Sequence, residues 1–287
     1  MLARVTTGPS NITRVGETRA RESLHEAIRQ ACGAAGIDPR QVQRACVGVA
    51  GVGNKETAGA VRKLVAEIMP AEIEVVGDMQ IALEAAFGGG PGVIVIAGTG
   101  SIAYGRDVQG RTARAGGWGF AVSDEGSAHW IGRSAVAAML RAIDQSAELR
   151  GAMETSPLWR ELKKAWNLPS LEALVRDANS NRDFALLFPA VMAAADAGDE
   201  LARQILMRAG RELAQLATII TRALFGENGA VTVPLGMVGG VFAHSPQVRE
   251  LFLDEATKLD SRIAANLQII DPVAGALQIA RQASRPT

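Results

Sequence analysis

The chain has 287 residues, 48% of them apolar, and a formal net charge of zero at pH 7. This length can bury a sizeable core and can form two domains of ordinary size. The sequence has no basic stripe of the kind that binds nucleic-acid phosphates, and no apolar run that reaches the roughly 18 residues of a membrane span. Composition therefore argues against a nucleic-acid partner and against a membrane partner.

The two cysteines, Cys32 and Cys46, match no metal-ligand spacing, and residues 1–10 contain no apolar core of a signal peptide. The sequence therefore predicts reduced thiols and a cytoplasmic protein. The three histidines are scattered along the chain, so they predict no metal site.

Helix and strand patterns alternate through the first third of the chain. Apolar spacing and turn residues predict a helix over 17–32 that ends at Gly36, a buried strand over 44–50, a turn at Gly51-Val52-Gly53, a helix over 55–68, a strand over 72–77 and a helix over 79–87. The run Gly88-Gly89-Gly90-Pro91-Gly92 is the strongest break in the chain and the candidate hinge.

Three short strands follow the hinge, over 93–97, 102–106 and 111–115, and their short connections predict an antiparallel meander. The later elements predicted are a helix from near Asp124, a mostly helical stretch over 156–225, a strand ending at Val238, a helix from near Pro246, a strand over 267–270 and a helix over 272–282. Within the helical stretch, one apolar face comprises Leu201, Ile205, Leu213, Leu216, Ile220 and Leu224. The alternation predicts an α/β fold with a local antiparallel set.

Two glycine-rich turns are candidates for nucleotide binding. In Gly98-Thr99-Gly100-Ser101, the glycines allow a ligand to approach the backbone, and N–H groups with nearby hydroxyls bind anions such as the phosphates of ATP. The spacing matches neither a Walker loop nor a dinucleotide fingerprint, and a plain hairpin turn is the alternative. Gly239-Gly240-Val241 follows an apolar strand and could let an adenosine lie against bare backbone, or could be a tight strand-to-helix turn.

Asp78 is the candidate for acid–base chemistry, because it stands at the end of an apolar strand. Ligands of α/β sheets bind at the carboxyl ends of strands. A carboxylate at such a position could accept the proton of a hydroxyl that attacks phosphorus. The alternative is that Asp78 only caps the helix that begins at Met79.

Two further segments could hold a sugar. The loop Gly116-Gly117-Trp118-Gly119 can lie close to a flat ligand, and Asp124 could accept hydrogen bonds from sugar hydroxyls. Alternatively, Asp124 caps a helix with Ser127 in its first turn, while Trp118 belongs to the core. Near the N-terminus, Asn11 could exchange hydrogen bonds with a sugar, or could belong to an ordinary turn.

The strings VIVIAGTGSIAYG at 93–105 and GGWGFAVSDEGSAHWIG at 116–132 occur in this order with the other segments. Together they resemble the BadF/BadG/BcrA/BcrD-type ATPases and, within that family, the N-acetylglucosamine kinases. The resemblance covers essentially the whole chain. It implies an α/β fold of two ribonuclease-H-like, actin-like ATPase domains, with ATP and sugar in the cleft between them. Residues 1–88 and 271–287 would form the first domain, and residues 89–270 the second, with a helical insert at about 145–225.

The resemblance also implies roles for individual residues. Those that match the family's sugar-binding positions are Asn11, Asp78, Gly117, Trp118, Gly119 and Asp124, and Asp78 matches the base that takes the proton of the 6-hydroxyl. Those that match nucleotide positions are Gly98, Thr99, Gly100, Ser101, Ala195, Gly239 and Gly240. The implied cofactors are ATP and Mg²⁺, the implied partner is N-acetylglucosamine, and a homodimer is compatible with the family.

One departure from the family's pattern concerns the start of the chain. Members begin with a strand, an Asp-Gly-Gly-Gly-Thr-type phosphate loop and a returning strand, whereas residues 1–4 here match the middle of the strand that follows. We therefore expect an incomplete first-domain sheet, and a chain that is a poor kinase although its full-length parent is a competent one.

Three alternative functions stay open from the sequence. A kinase for glucosamine or another hexosamine would use the same scaffold, because the acetyl pocket cannot be identified from motifs. A redox-enzyme activator with a shared iron–sulfur cluster is disfavoured, because Cys32 and Cys46 do not lie on the loop where its ligands belong. A sugar-sensing relative without catalysis would bind the sugar but not the nucleotide.

Overall fold

A computed structural model of the chain describes residues 1–50, 55–180, 182–227 and 231–282, so the expected turn at Gly51-Val52-Gly53 lies outside the described residues. The chain divides into two compact units. The first comprises Met1–Gly89 and the chain from Asp271 onward, and the second comprises Gly90–Ile270. Within the described ranges, no helix has the length and apolar character needed to cross a membrane.

The first unit surrounds two parallel strands with helices. Its elements before the hinge are α1 (Ile12–Val15), α2 (Glu17–Ala35), a 3₁₀ turn (Pro39–Gln41), β1 (Arg44–Val49), α3 (Lys55–Ala66), β2 (Glu72–Gly77) and α4 (Asp78–Phe87). As predicted, α2 ends at Gly36, whose left-handed φ of 68° satisfies the helix C-terminus. Strands β1 and β2 pair from Arg44 opposite Glu72 to Val49 opposite Gly77.

Two expectations for the first unit were wrong. Every residue of β1 is only half-buried, not buried, because among the described residues this strand pairs with β2 alone. Residues 1–4 form no strand; Arg4 instead makes an ion pair of 2.6 Å with Asp271. The apolar core of the unit is formed by Val61, Val65, Met69 and Ile73.

The second unit is built on one sheet of five strands. These are β3 (Gly92–Ala97), β4 (Ser101–Arg106), β5 (Thr112–Gly116), β6 (Val233–Val238) and β7 (Ile263–Ile270), arranged in the order β5-β4-β3-β6-β7. The antiparallel meander of β3, β4 and β5 is confirmed, and β6 runs parallel to both β3 and β7. Because β3 and β6 are parallel neighbours, Ala97 and Val238 end at the same edge of the sheet.

Helices cover this sheet and continue into a helical layer. They are α5 (Ala128–Gln145), α6 (Ala147–Thr155), α7 (Pro157–Trp166), α8 (Leu171–Ala178), α9 (Phe188–Asp196), α10 (Glu200–Phe225), α11 (Gly240–His244) and α12 (Pro246–Leu259). The predicted face of α10 packs on the core, with Ile205, Leu213 and Ile220 buried. The same face includes Leu201, Leu216 and Leu224, which are partly buried.

The last helix, α13 (Pro272–Gln282), belongs to the first unit and packs along α4. Gly275 is the point of closest approach. A β-carbon at this position would meet the carbonyl oxygen of Ile81 and would lie 2.6 Å from the nitrogen of Ala85. A glycine therefore occupies the middle of a helix, where it would otherwise cost stability, because only a bare backbone fits against α4.

Candidate active site

The first glycine turn, Gly98–Ser101, joins β3 to β4. The Gly98 N–H donates to the carbonyl oxygen of Gly100 at 2.9 Å, so the segment is a hairpin turn, as the alternative reading held. Thr99 is nevertheless exposed. Within the described part of the chain, the N–H groups of Thr99 and Gly100 donate no hydrogen bond. Two backbone donors are therefore available to an anion, so this hairpin turn can also bind phosphate.

The start of α5 holds the first glycine turn in place. The carbonyl oxygens of Gly98 and Thr99 accept the N–H groups of Ala128 at 2.9 Å and His129 at 3.3 Å. The Ser101 hydroxyl donates to the Glu125 carbonyl oxygen at 2.7 Å. These bonds orient two carbonyls of the turn toward α5 and away from an approaching anion.

The second glycine turn, Gly239–Gly240, lies against the first. Gly239 has a φ of 104°, and a β-carbon on it would meet the carbonyl oxygen of Ala97 and lie 3.2 Å from the Gly98 nitrogen. Gly240 is exposed and begins α11. The structure therefore brings the two segments predicted to bind nucleotide to one edge of the sheet, although they are far apart in sequence.

The aromatic loop, residues 116–123, presents apolar side chains to solvent. Trp118 is 68% exposed and Phe120 is 52% exposed, so the alternative that Trp118 belongs to the core is wrong. The loop depends on glycine, because Gly117 and Gly119 have φ values of 67° and 101°. The exposed tryptophan face is available to a flat ligand.

Asp124 follows the aromatic loop and is buried, with 7% of its surface exposed. One oxygen, Oδ1, accepts the Gly119 N–H at 3.3 Å. The other, Oδ2, would lie 2.7 Å from a β-carbon on Gly100, so the carboxylate touches the first glycine turn. Burial raises the pKa of Asp124, the neighbouring charge of Glu125 raises it further, and the N–H groups of Gly119 and Ser101 oppose these effects.

The expected helix near Asp124 begins later than predicted. Helix α5 starts at Ala128, and its cap is Ser127, whose hydroxyl oxygen accepts the Trp130 N–H at 3.2 Å. Asp124 and Gly126 have φ values of 66° and 79°, which break helical geometry ahead of Ser127. The capping role considered for Asp124 is therefore wrong. Its carboxylate instead contacts the aromatic loop at Gly119 and the first glycine turn at Gly100.

Asp78 lies in the first unit, where β2 passes directly into α4. The helix starts at Asp78 with Gly77 as its cap, so the alternative of a helix from Met79 capped by Asp78 is wrong. The half-buried carboxylate accepts the Met79 N–H at 2.9 Å. Burial raises the pKa of Asp78 above the ordinary aspartate range, against the opposing effect of backbone N–H groups. A carboxylate with a raised pKa is a better proton acceptor than an ordinary aspartate.

Asn11 and Ala195 differ in how much surface they offer. Asn11 is half-buried and precedes α1; its backbone oxygen accepts two N–H groups, while its side chain makes no capping bond. Ala195 has no exposed surface, and its carbonyl oxygen accepts the N–H of Gly198 and the Nε of Arg203 at 3.1 Å each. Helix packing therefore covers Ala195, and its role as a nucleotide contact stays a prediction.

Two residues at the aromatic loop, Arg114 and His129, were not predicted from the sequence. The guanidinium carbon of Arg114 lies 4.4 Å from the centre of the Trp118 ring, and the group donates to the Gly117 carbonyl oxygen at 3.4 Å. The ring of His129 lies 4.7 Å from that of Phe120. An arginine four residues before an aromatic residue on a strand end is a weak signal, and only the folded loop shows the stacking.

Comparison with known proteins gives matches along most of the chain. A family model described as the BadF/BadG/BcrA/BcrD ATPase family matches residues 1–280. The N-acetylmuramic acid/N-acetylglucosamine kinase of Clostridium acetobutylicum is 33% identical over 243 residues, which cover 84% of this chain and 78% of that protein. The N-acetyl-D-glucosamine kinase of Dictyostelium discoideum is 30% identical over 249 residues, which cover 83% and 77%.

Solved structures share the fold. A candidate N-acetylglucosamine kinase from Chromobacterium violaceum superposes with a TM-score of 0.71 at 25% identity, covering 95% of this chain and 88% of that one. A ROK family glucokinase from Streptomyces griseus, solved with glucose and AMPPNP, has a TM-score of 0.59 at 13% identity, covering 96% and 88%. The second likeness concerns the fold alone. The predicted α/β fold of the actin-like ATPases is confirmed.

Proposed function

Because the chain belongs to the BadF/BadG/BcrA/BcrD ATPase family, we propose that it transfers the γ-phosphoryl group of ATP to the 6-hydroxyl of N-acetylglucosamine. The observation that carries this proposal is the meeting of two glycine turns and a buried carboxylate at one sheet edge of the second unit. The two kinases described above, which align with more than four fifths of the chain, are both named for N-acetylglucosamine. Their names support the choice of this sugar as the acceptor.

In the proposed reaction, the first glycine turn binds the phosphates of ATP. The N–H groups of Thr99 and Gly100 donate to phosphate oxygens, and the exposed Thr99 hydroxyl adds a third donor. The adenosine lies against the backbone of Gly239 and of the exposed Gly240, where no side chain stands between the ligand and the main chain. Phosphoryl transfer depends mainly on positioning and on charge stabilisation, which fixed backbone donors supply.

The sugar is assigned to Asn11, to residues 117–119 of the aromatic loop and to Asp124. Asp78 takes the proton of the sugar's 6-hydroxyl while the oxygen of that hydroxyl forms a bond to the γ-phosphorus of ATP. At the same time the bond between the γ-phosphorus and the β,γ-bridging oxygen breaks, and ADP is released. The raised pKa of Asp78 suits this role, because the carboxylate holds the proton more firmly than an ordinary aspartate would.

Mg²⁺ belongs to the proposal as an ion that arrives with ATP. Across the described residues, no group of three or more His, Cys, Asp or Glu side chains is placed to hold a metal. This fits an ion held mostly by water and substrate phosphates, with one or two carboxylates at most. Bound to the phosphates, the ion would neutralise part of their charge.

A cytoplasmic location and a homodimer are parts of the same proposal, and light scattering of the purified protein tests the dimer.

The direct test is a kinase assay with the purified chain, Mg²⁺ and ATP. We expect ADP formation that depends on N-acetylglucosamine, with a product phosphorylated at the 6-position by mass spectrometry and NMR. A higher kcat/KM for glucosamine than for N-acetylglucosamine would show that glucosamine is the preferred phosphoryl acceptor. Calorimetry that detects sugar binding without nucleotide binding would favour the sensor and contradict the kinase.

A second acceptor is favoured by Arg114. Its exposed guanidinium stacks on Trp118 beside the proposed sugar loop, and no ion pair of the described residues includes it. A fixed cation without a carboxylate partner suits a sugar that carries a carboxylate. N-acetylmuramic acid is such a sugar, and one relative is named for it. We therefore propose that the chain also phosphorylates this acidic amino sugar.

Replacing Arg114 with glutamine tests this second acceptor. We expect kcat/KM for N-acetylmuramic acid to fall about tenfold, because a hydrogen bond to a charged group contributes about 1.5–3 kcal/mol and exposure weakens it. The value for N-acetylglucosamine should change less than about twofold. The control is Arg141→Gln, which removes an exposed arginine of α5. Equal losses for both sugars would show that Arg114 only supports the loop.

A further inference from the structure

The Asp124 carboxylate stands between two segments that the proposed function gives to different substrates. Oδ1 accepts the N–H of Gly119 in the aromatic loop at 3.3 Å. Oδ2 occupies the space beside Gly100 in the first glycine turn, 2.7 Å from where a β-carbon would stand. One buried side chain therefore touches the loop proposed for the sugar and the turn proposed for the phosphates.

The backbone of Asp124 is held in an unfavourable conformation. Its φ of 66° makes it one of two non-glycine residues with positive φ among those described. Such a conformation costs on the order of 1–3 kcal/mol and persists only where surrounding contacts impose it. Two hydrogen bonds impose it here. The Ser127 N–H donates to the Asp124 carbonyl oxygen at 3.1 Å, and the Ser101 hydroxyl donates to the Glu125 carbonyl oxygen at 2.7 Å. Both contacts hold the backbone at Asp124, from which the carboxylate reaches the first glycine turn.

The fit between Asp124 and Gly100 is specific to these two residues. Gly100 does not have a left-handed φ, so its backbone would accept an alanine. What opposes a side chain at Gly100 is first of all the carboxylate, since the two oxygens and the carboxyl carbon of Asp124 are the three atoms nearest to the β-carbon position. Because the carboxylate lies directly against Gly100, a shift of the carboxylate is expected to move the first glycine turn.

We infer that Asp124 is a positioning residue that couples the two substrates: a sugar hydroxyl bound to its carboxylate fixes the first glycine turn in the shape that binds the phosphates of ATP. The inference rests on the proposed function and deepens it. A sugar that orders the carboxylate removes part of the cost of ordering the turn, so the nucleotide binds more tightly. Linkage requires the reverse effect of equal size, so the nucleotide also tightens sugar binding.

The coupling is measured by calorimetry, which does not depend on turnover. The Kd of Mg²⁺–AMPPNP is determined with and without saturating N-acetylglucosamine. We expect the sugar to tighten nucleotide binding about fivefold or more in the unmodified protein, within the usual range of coupling. In Asp124→Asn, which keeps the shape and removes the charge, we expect a factor below about twofold. The control Glu125→Gln alters the neighbouring carboxylate, which accepts the Ser123 hydroxyl at 3.1 Å, and should keep the full factor.

A double-mutant cycle separates positioning from a purely structural role. Gly100→Ala should displace the carboxylate and weaken AMPPNP binding about tenfold. In an Asp124→Gly background, where glycine also relieves the positive φ, the same change should have almost no effect, because the clashing atoms are gone. Thermal melting of all variants checks that each is folded.

The possible results of these experiments distinguish the inference from the proposed function. The inference is wrong if Asp124→Asn retains the unmodified coupling factor, or if Gly100→Ala weakens nucleotide binding equally in both backgrounds. Binding of both ligands without any coupling in the unmodified protein would overturn the inference and leave the proposed function standing. A protein that binds neither sugar nor nucleotide would overturn both.

Discussion

Replacement of Asp78 by asparagine is expected to lower kcat for sugar phosphorylation about 10³-fold, since a positioned general base contributes about 10²–10⁴-fold. Asparagine keeps an oxygen that can accept the Met79 N–H, so α4 should still begin at this residue. KM for ATP should change less than about threefold. The control Glu74→Gln removes an exposed carboxylate of β2 and should leave kcat intact. A variant that keeps more than about a tenth of kcat would show that another group takes the proton.

The pH dependence of kcat/KM is a second readout of the same residue. The base works only as the carboxylate, so activity falls as the pH drops through the pKa of Asp78. Burial raises this pKa, and the acidic limb should therefore lie above the ordinary aspartate range. In Asp78→Asn the residual activity should lose this limb. An unchanged limb in the variant would assign it to a different group.

Replacement of Gly239 by alanine is expected to lower the free energy of unfolding by about 3 kcal/mol and to remove detectable ATP binding. The φ of 104° is unfavourable for alanine, which costs on the order of 1–3 kcal/mol. The new β-carbon would also meet the carbonyl group of Ala97, at 2.7 Å from its carbon, and overpacking costs typically about 1–3 kcal/mol. Since the clash falls at the end of β3, it should displace the first glycine turn.

Gly198→Ala is the matched control for this prediction. Gly198 has a φ of 91°, but apart from its chain neighbours no atom of the described residues lies within 4 Å of its β-carbon position. It therefore carries the backbone strain without the clash, and the difference between the two variants in urea denaturation isolates the contact with Ala97. Equal destabilisation, or ATP binding retained by a folded Gly239→Ala, would show that the second glycine turn does not support the first.

The adjacency of the two glycine turns explains how one sheet edge can hold a nucleotide. Strands β3 and β6 are parallel neighbours, so the segments after Ala97 and Val238 leave the sheet at the same edge. Gly239 lies within contact distance of the first turn, while α5 holds the carbonyls of Gly98 and Thr99. These contacts hold one side of the first glycine turn, while its N–H groups at Thr99 and Gly100 face the proposed phosphates. The exposed Trp118 and Phe120 lie on the loop that follows β5.

The order and type of most elements could be predicted from local sequence patterns. Helix periodicity, the left-handed glycine at 36 and the short turns of the meander all depend on interactions between residues close in the chain. Asp78 could be placed at a strand end for the same reason, and the strings at 93–105 and 116–132 were sufficient to indicate the family.

Which distant groups meet depends on the packing of the folded chain. The half-buried state of β1, the burial of Ala195 and the exposure of Trp118 depend on what packs against them, and no local pattern reports it. Asp124 shows the reason most clearly. Its sequence context suits a helix cap, yet its carboxylate lies against Gly100, because non-local packing outweighs the weak local preference for capping. The bonds from Ser127 and Ser101 hold the backbone here, at the carbonyl oxygens of Asp124 and Glu125.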